Sequence, residues 1–224
     1  MTYEFDGIQY EKASVPQKEW GNKLISRLNL KGDERILDLG CGDGELSNNL
    51  ADLVPQGYVQ GVDSSHGMID AARAKERDNL EFELMDINSL ELDEEFDLVF
   101  SNSTLHWIKD HGRLWSNIRR FLSSGGSVWF NFAGQGNCSY FIRNILKVMA
   151  LDEYKPYFRK FEWPWYMPAK NEYQELVYSL QMFSEINIWE ENADRYFQKD
   201  ELIRLIDQPV IVPFLACIPR EKKE

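Results

Sequence analysis

Residues 36–47 read ILDLGCGDGELS, and this stretch decides the fold. An apolar run that contains Asp38 leads into three glycines at alternate positions, which are Gly40, Gly42 and Gly44. A helix-like segment begins directly after them. A short strand, a glycine-rich turn and a helix N-terminus in this order are typical of a nucleotide-binding corner. Glycines let the backbone come close to a ligand and can adopt positive φ without a steric penalty.

The place of the third glycine indicates what kind of ligand the turn binds. In the dinucleotide fingerprint G-x-G-x-x-G the third glycine comes one residue later, where this chain has Glu45. A pyrophosphate needs free N–H groups and the positive end of a helix, and a glutamate in the turn would oppose it. The turn therefore favours a ligand without phosphate, and it counts against an NAD-linked dehydrogenase.

The turn DLGCGDG resembles the first motif of the class I S-adenosylmethionine (SAM) dependent methyltransferases, and the later motifs of that family appear in order. They are the strand-like run 59–62 followed by Asp63, MDI at 85–87, EFDLVFS at 95–101 and SSGGSVWFNF at 123–132. A carboxylate about 20 residues beyond the glycines, as Asp63 is, can accept both hydroxyls of a ribose. The resemblance implies a Rossmann-like fold, SAM as cofactor and S-adenosylhomocysteine as product.

The resemblance also implies which residues hold the cofactor. Asp63 binds the ribose, and Asp86 meets the amino group of the adenine. The expected cofactor-binding residues are Asp38, Gly40, Cys41, Gly42, Gly44, Asp63, Ser64, Met68, Asp86, Ile87, Ser101 and Asn102.

The order of helix-like and strand-like segments predicts the fold class. These segments alternate up to residue 132, which is typical of an α/β fold with a doubly wound, mostly parallel sheet. Helices are predicted at 15–30, 44–53, 67–77, 112–122, 138–151, 170–183 and 199–207, and strands at 36–39, 59–62, 80–85, 96–101, 127–132 and 186–190. We expect residues 1–224 to form a single domain.

The segment after the fifth strand is rich in aromatic residues. Seven of them lie between Tyr154 and Tyr166, interrupted by two prolines, with no helical or strand period. Methyltransferases commonly insert a substrate cap here, so residues 137–170 are predicted to be a cap, or alternatively a small core that holds the insertion down. WPWYMP at 163–168 and IDQPVIVPFLA at 206–216 resemble a subgroup near the trans-aconitate and biotin-pathway methyltransferases. In that subgroup a further helix and an antiparallel edge strand follow. Either residues 210–218 take some of their place here, or the sheet has one strand fewer.

Three residues are candidates for contact with the methyl acceptor: Gln17, His106 and Trp107. The stretch LHW at 105–107 lies beyond the carboxyl end of a strand, where open α/β sheets bind ligands. It resembles the (L/F)-(Q/H)-W stretch of several small-acid methyltransferases, and some carboxylate methyltransferases have a glutamine at the place of Gln17. The alternative roles are a surface glutamine, a capping histidine and a core tryptophan. His111 is expected to begin a helix.

Composition limits the classes of function. A formal net charge of −12 repels polyanions, which argues against nucleic acid as a partner. No apolar run has the roughly 18 residues of a membrane span. The three cysteines, Cys41, Cys138 and Cys217, have no metal-type spacing, so neither a metal nor a disulfide is expected, and a cytoplasmic location is predicted. A monomer or a homodimer that acts on a small molecule is expected.

The predicted reaction is O-methylation of a small-molecule carboxylate. The methyl group of SAM is already activated, so an acceptor that arrives deprotonated needs no base, and carboxyl groups are ionised at pH 7. The amide of Gln17 and the indole N–H of Trp107 can donate hydrogen bonds to it. The resemblance is to trans-aconitate, malonyl-carrier-protein and juvenile-hormone-acid methyltransferases. The alternatives are an N- or C-methyltransferase of a natural-product or lipid-like precursor with His106 as base, and a SAM-binding protein without catalysis.

Overall fold

A five-stranded parallel sheet forms the centre of the computed structural model, which describes Glu4, residues 14–219 and Glu221. Its strands are β1 (Arg35–Leu39), β2 (Tyr58–Asp63), β3 (Leu80–Leu84), β4 (Phe96–Asn102) and β5 (Leu122–Asn131). The order across the sheet is β3-β2-β1-β4-β5, and each neighbouring pair is parallel. The prediction of a doubly wound parallel sheet is confirmed.

Helices connect the strands and extend the chain beyond them. The helices are α1 (Val15–Ile25), α2 (Glu45–Leu53), α3 (His66–Ala72), α4 (His111–Phe121), α5 (Ser139–Met149), α6 (Lys170–Ser179), α7 (Lys199–Leu205) and α8 (Val212–Leu215). Short 3₁₀ turns lie at Arg73–Lys75, Ile87–Ser89, Leu105–Trp107 and Lys155–Phe158, and a π-turn at Ile206–Val210. The predicted helix at 15–30 is shorter than expected, and the one at 67–77 changes to a 3₁₀ turn at Arg73.

The core lies on both faces of the sheet because successive strand residues point to opposite sides. In β1, Leu37 and Leu39 belong to one apolar cluster and Ile36 to the other, and all three are fully buried. Strands covered on both faces have near-continuous apolar sequences, as this one does.

The strand order places a ligand crevice next to β1. The chain reverses its winding direction between β1 and β4, so the connections after these two strands leave to opposite faces of the sheet. A crevice opens at the carboxyl ends of the strands at such a point. The glycine turn after β1 and the LHW stretch after β4 both lie there.

Two segments in the second half of the chain were considered as strands, and the structure shows that neither of them is one. Residues 186–190 are not a strand: Ile186 and Ile188 pack against the core, but the segment does not pair with the sheet. Residues 210–218 do not form a strand either, since they contain α8, where Pro213 occupies the first turn and needs no N–H donor there. Within the described residues the sheet therefore ends at β5, and neither the predicted sixth strand nor a further edge strand joins it.

Candidate cofactor and acceptor site

The glycine turn has the backbone conformation that only glycine adopts easily. Gly40, Gly42 and Gly44 have φ values of 76°, 56° and 78°. A Cβ on Gly40 would lie 2.2 Å from the Thr104 side chain, and one on Gly44 would lie 2.6 Å from the Phe82 ring. A Cβ on Gly42 would meet nothing within 4 Å. Gly42 therefore faces open space in the crevice, where a ligand can approach its backbone.

Two buried carboxyl groups lie beside the turn. Asp38 is 2% exposed and accepts a hydrogen bond of 2.7 Å from the Ser47 hydroxyl. Burial raises the pKa of Asp38 to about 7. Asp63 accepts hydrogen bonds from the backbone N–H of Gly42 at 3.1 Å and of Ser65 at 2.9 Å. Burial also raises the pKa of Asp63, although these donors oppose the shift. Asp63 thus ties the glycine turn to the end of β2.

An ion pair that the sequence did not reveal fixes the same turn to helix α1. Lys18 lies 2.7 Å from the Asp43 carboxylate, and Lys75 donates a 2.7 Å hydrogen bond to the Asp43 carbonyl oxygen. Asp43 is only 5% exposed. A buried acid in a loop requires a cationic partner. Lys18 and Asp43 are 25 positions apart, so no local pattern in the sequence identifies Lys18 as that partner.

The ends of β4 and β5 hold the other side of helix α1. The Asn102 amide donates to the backbone oxygen of Gln17 at 2.9 Å and accepts from the Asn131 amide at 2.8 Å. Ser101 is fully buried, and its hydroxyl donates to the Leu39 carbonyl inside the sheet at 2.7 Å. Ser101 therefore does not face the crevice, whereas Asn102 lies at its edge and positions α1.

The candidate acceptor residues carry two unsatisfied polar atoms. The Gln17 side-chain oxygen and His106 Nδ1 are both buried and have no hydrogen-bond partner. Burial lowers the pKa of His106 to about 4, and nearby His111 acts in the same direction. The Trp107 ring lies 5.5 Å from the His106 ring and 5.8 Å from the Trp165 ring, edge-on to the latter. The two rings that His106 and Trp107 contribute to the rim are thus neutral at pH 7.

His111 begins helix α4, as expected, and both of its ring nitrogens are engaged. Nε2 lies 3.0 Å from the Leu105 carbonyl, which can only accept, so Nε2 donates there. Nδ1 of the neutral ring then accepts from the Tyr173 hydroxyl at 2.9 Å. Burial lowers the pKa of His111 and outweighs its carbonyl contacts, which raise it. His111 therefore joins α4 to α6 and is not available as a base.

The crevice is a large cleft of about 2880 Å³ that brings most candidate residues together. They are Gln17, Asp38, Gly40, Cys41, Gly42, Asp63, Ser64, Met68, Asp86, Ile87, Asn102, His106 and Trp107. Gly44 and Ser101 do not line it. This volume exceeds the roughly 300–1,000 Å³ of a pocket for one small ligand, because the cleft also extends along β5 and along residues 183–195.

For two of these candidates, Asp86 and Cys41, the structure adds hydrogen bonds and burial that the sequence did not predict. Asp86 caps the 3₁₀ turn after β3 and accepts from both the backbone and the side-chain nitrogen of Asn88 at 2.8 Å. Cys41 is 7% exposed, and burial raises the pKa of its thiol. Its sulfur is therefore a small apolar group at pH 7.

An aromatic cluster lies beside Trp107. Phe214 of α8 is 1% exposed and lies at its centre. Four rings surround Phe214 at centroid distances of 5.0–5.9 Å, and they belong to Phe141, Phe161, Trp163 and Trp165. The backbone N–H of Tyr166 donates to the His106 carbonyl at 2.8 Å, which attaches the segment to the rim. No pattern in the sequence indicates that the central ring of this cluster comes from the C-terminal stretch.

Within the described residues, no group of three or more histidine, cysteine or acidic side chains could hold a metal ion. No helix in this part of the chain combines the length and apolar character needed to cross a membrane.

Comparison with known proteins agrees with the fold and the glycine turn. Residues 37–130 match the family model of the methyltransferase domain. The chain is 32% identical over 167 residues to malonyl-[acyl-carrier protein] O-methyltransferase of Acetivibrio thermocellus, which covers 72% of this chain and 59% of that protein. It is 45% identical over 92 residues to trans-aconitate 2-methyltransferase of Deinococcus radiodurans, covering 41% and 35%.

A solved structure supports the fold across a longer part of the chain. It is the complex between the Trm112 methyltransferase activator of Haloferax volcanii and its methyltransferase partner. The match has a TM-score of 0.63 at 21% identity and covers 80% of this chain and 76% of that one.

The sheet order, the glycine turn and the family match define a methyltransferase domain of the SAM-dependent class. The match to the family model covers residues 37–130, which run from β1 into β5. It spans 59% of the first of these relatives and 35% of the second.

Proposed function

We propose that this protein transfers a methyl group from SAM to a carboxylate oxygen of a small molecule. Two relatives support the acceptor class, since malonyl groups and trans-aconitate both carry carboxylates. Within the cleft, Asp63 would accept the ribose hydroxyls and Asp86 would lie beside the adenine. The open face of Gly42 would receive the rest of the cofactor.

The observation that carries the proposal is the position of His106, whose ring lies beside Trp107 with a buried Nδ1, an environment that lowers its pKa. With a pKa of about 4, its ring is neutral at pH 7 and is a weak base. General bases work best when their pKa lies near the working pH. A weakly basic rim suits an acceptor that arrives deprotonated, and a carboxylate does so at pH 7.

The side chains at the rim would orient the acceptor rather than move a proton. Bound SAM supplies a methyl group that is already activated by the positive sulfur. The amide of Gln17 has no partner for its buried oxygen, and amide oxygen and nitrogen are interchangeable in such assignments. If the Gln17 amide group is rotated by 180°, its nitrogen takes the place of its oxygen, and the amide would then donate an N–H to a carboxylate oxygen of the acceptor. The aromatic cluster and the rest of residues 137–170 would act as a cap that excludes water.

One observation favours a second candidate function. His106 Nδ1 is buried and unpartnered, so it could accept a proton from a nitrogen or carbon acceptor. N- or C-methylation with His106 as base is therefore the alternative. It predicts that kcat/KM falls as pH drops through the pKa of His106, and that His106→Asn abolishes turnover.

The test is transfer from methyl-labelled SAM to a pool of small and fatty carboxylic acids, followed by alkaline treatment. Methyl esters release volatile labelled methanol on hydrolysis, and we expect this result. Base-stable label in an extractable product would identify N- or C-methylation instead. SAM binding without transfer to any acid would contradict carboxylate methylation and leave a binding role.

A further inference from the structure

We propose that the acceptor is a monocarboxylic acid with an apolar tail, and that the tail lies in a groove next to the aromatic cluster. This inference rests on the proposed function and names the substrate class of the same site. It is carried by a second cavity, by the apolar side chains that line this cavity and by its connection to the cleft.

The second cavity, called the side groove here, has a volume of about 600 Å³ and lies against helix α5. Ile142 and Leu146 line one side of it, and they lie one helical turn apart on the same face of α5. Trp163, Trp165 and Met167 line the other side. These five side chains give the groove two apolar walls of the kind that hold a hydrocarbon chain.

The side groove adjoins the main cleft at the acceptor rim. Trp163, Trp165 and Met167 line both cavities, as do residues 135–137 and Ser139. Because the Trp165 ring also contacts Trp107, the wall of the groove continues to the rim. An acid whose carboxylate lies at Trp107 therefore has an apolar surface beside it for its tail.

The cations that helix α1 contributes to the cleft are held by carboxylates of the protein, whereas Lys109, Arg113, Lys160 and Lys170 also line the cleft. On helix α1, Lys18 is paired with Asp43, and Lys23 is paired with Glu191. These cations are already engaged with carboxylates of the protein, and a buried second carboxylate on the substrate would need a cation of its own. The net charge of −12 further opposes a polyanionic acceptor.

One charged side chain in the groove, that of Arg143, would favour a dicarboxylic acid as the acceptor instead. Arg143 lies next to Ile142 on α5, lines the groove and is exposed. It could meet a second carboxylate at the far end of a tail, which would make a dicarboxylic acid the better acceptor. Its exposure to water weakens such a pair, since exposed ion pairs contribute only about 0–1 kcal/mol.

The first test compares acceptors at saturating SAM: butyrate, octanoate and dodecanoate, the dicarboxylic acids of equal length, and trans-aconitate. Burial of each methylene should raise kcat/KM about fourfold until the groove is filled, so longer monoacids should be preferred. Preference for diacids or trans-aconitate, or no dependence on length, would overturn this inference alone. Failure to methylate any acid while SAM binds would instead contradict the proposed function, and this inference with it.

The second test places a charge in the groove. Leu146→Glu should raise KM for dodecanoate at least about tenfold and leave KM for butyrate and the affinity for SAM unchanged, because only the long tail reaches this position. Leu146 is 49% exposed, so the variant should fold. The matched control is Val148→Glu, on the same helix, 39% exposed and outside the groove lining. Equal effects on both acids, or equal effects of both variants, would contradict the inference.

Discussion

Asp63 connects the glycine turn to the strand that precedes the expected ribose site. Its carboxylate accepts the N–H groups of Gly42 and Ser65, so it holds the turn in place through charge-assisted hydrogen bonds. The same oxygens have lone pairs left for two hydroxyl groups. One side chain thus serves both the fold of the turn and the proposed binding of SAM.

Asp63→Asn should weaken SAM binding by about 1–3 kcal/mol, because it removes the charge from these hydrogen bonds while keeping the shape of the side chain. Isothermal titration calorimetry measures the change. Asp70→Asn is the control, since Asp70 is exposed on the neighbouring helix α3. Equal affinity of the wild type and Asp63→Asn would refute the ribose role.

Asp38 should make the protein less stable as pH rises. Burial raises its pKa in the folded state from 3.8 to about 7, so between these values the folded protein binds more protons than the unfolded chain. The free energy of unfolding should then fall by up to about 4 kcal/mol from pH 4 to pH 7.

The Asp38→Asn variant tests this contribution without SAM. It keeps an acceptor for Ser47 but cannot titrate, so its denaturation midpoint should fall less between about pH 4 and about pH 8 than that of the wild type. Asp52→Asn, which alters an exposed ion pair with Arg77, should follow the wild-type curve. Parallel curves for Asp38→Asn and the wild type would show that Asp38 ionises normally.

At the scale of the element, helix α1 is held over the cleft from two sides. Lys18 reaches the glycine turn, and the backbone oxygen of Gln17 accepts from Asn102 at the end of β4. On its outer face Glu191 pairs with Lys23 and Arg27. The irregular stretch after α6 therefore lies against α1 instead of joining the sheet.

Lys18→Met should lower both stability and SAM affinity, because it leaves the buried Asp43 carboxylate without its cation. An unsatisfied buried group of this kind costs about 1–3 kcal/mol. Denaturant unfolding and SAM titration give the two quantities. Lys31→Met, at an exposed position after the helix, is the control and should change neither. A loss of stability with unchanged SAM affinity would show that α1 does not position the turn.

Helix α8 supplies the centre of the aromatic cluster, so this cluster depends on a residue far from its other members in sequence. Phe214→Ala should cost about 3–5 kcal/mol of stability, since it leaves a cavity among four rings. Phe214→Leu fills much of that space and should fold well enough for kinetics. We expect it to raise KM for the acceptor and to leave the affinity for SAM nearly unchanged.

Tyr196→Ala serves as the comparison for Phe214, because Tyr196 is fully exposed. It should alter neither unfolding nor KM. If Phe214→Leu weakened SAM binding and spared the acceptor, the aromatic cluster would belong to the cofactor side of the cleft.

For the whole molecule, the net charge of −12 has opposite electrostatic effects on the two substrates. An anionic acceptor is repelled, whereas SAM, which carries one net positive charge, is attracted. Raising the ionic strength from about 0.01 M to about 0.15 M shortens the Debye length from roughly 30 Å to roughly 8 Å.

Kinetics at these two salt concentrations should therefore show kcat/KM rising for the acid and the affinity for SAM falling. A neutral salt such as KCl at fixed pH is suitable, and an uncharged inhibitor of the same site would be the control. If the acid responded in the same direction as SAM, local cations at the cleft would dominate over the net charge.

The parallel sheet, the order of its five strands and the glycine turn could be predicted from the sequence, although β5 begins at Leu122 instead of residue 127. These features are local: apolar strands, a turn that requires positive φ and a helix beginning are each encoded in a few contiguous residues. Most candidate residues followed from the same logic, since the carboxyl ends of parallel strands meet at one edge of the sheet.

Only the tertiary structure decided which distant residues meet. It pairs Lys18 with Asp43, joins His111 to Tyr173 and places Phe214 inside the cap. It also made residues 186–190 an irregular segment although Ile186 and Ile188 alternate as in a strand. Such contacts depend on burial and on charge pairing between segments that are remote in sequence. They therefore cannot be predicted from a local pattern of side chains.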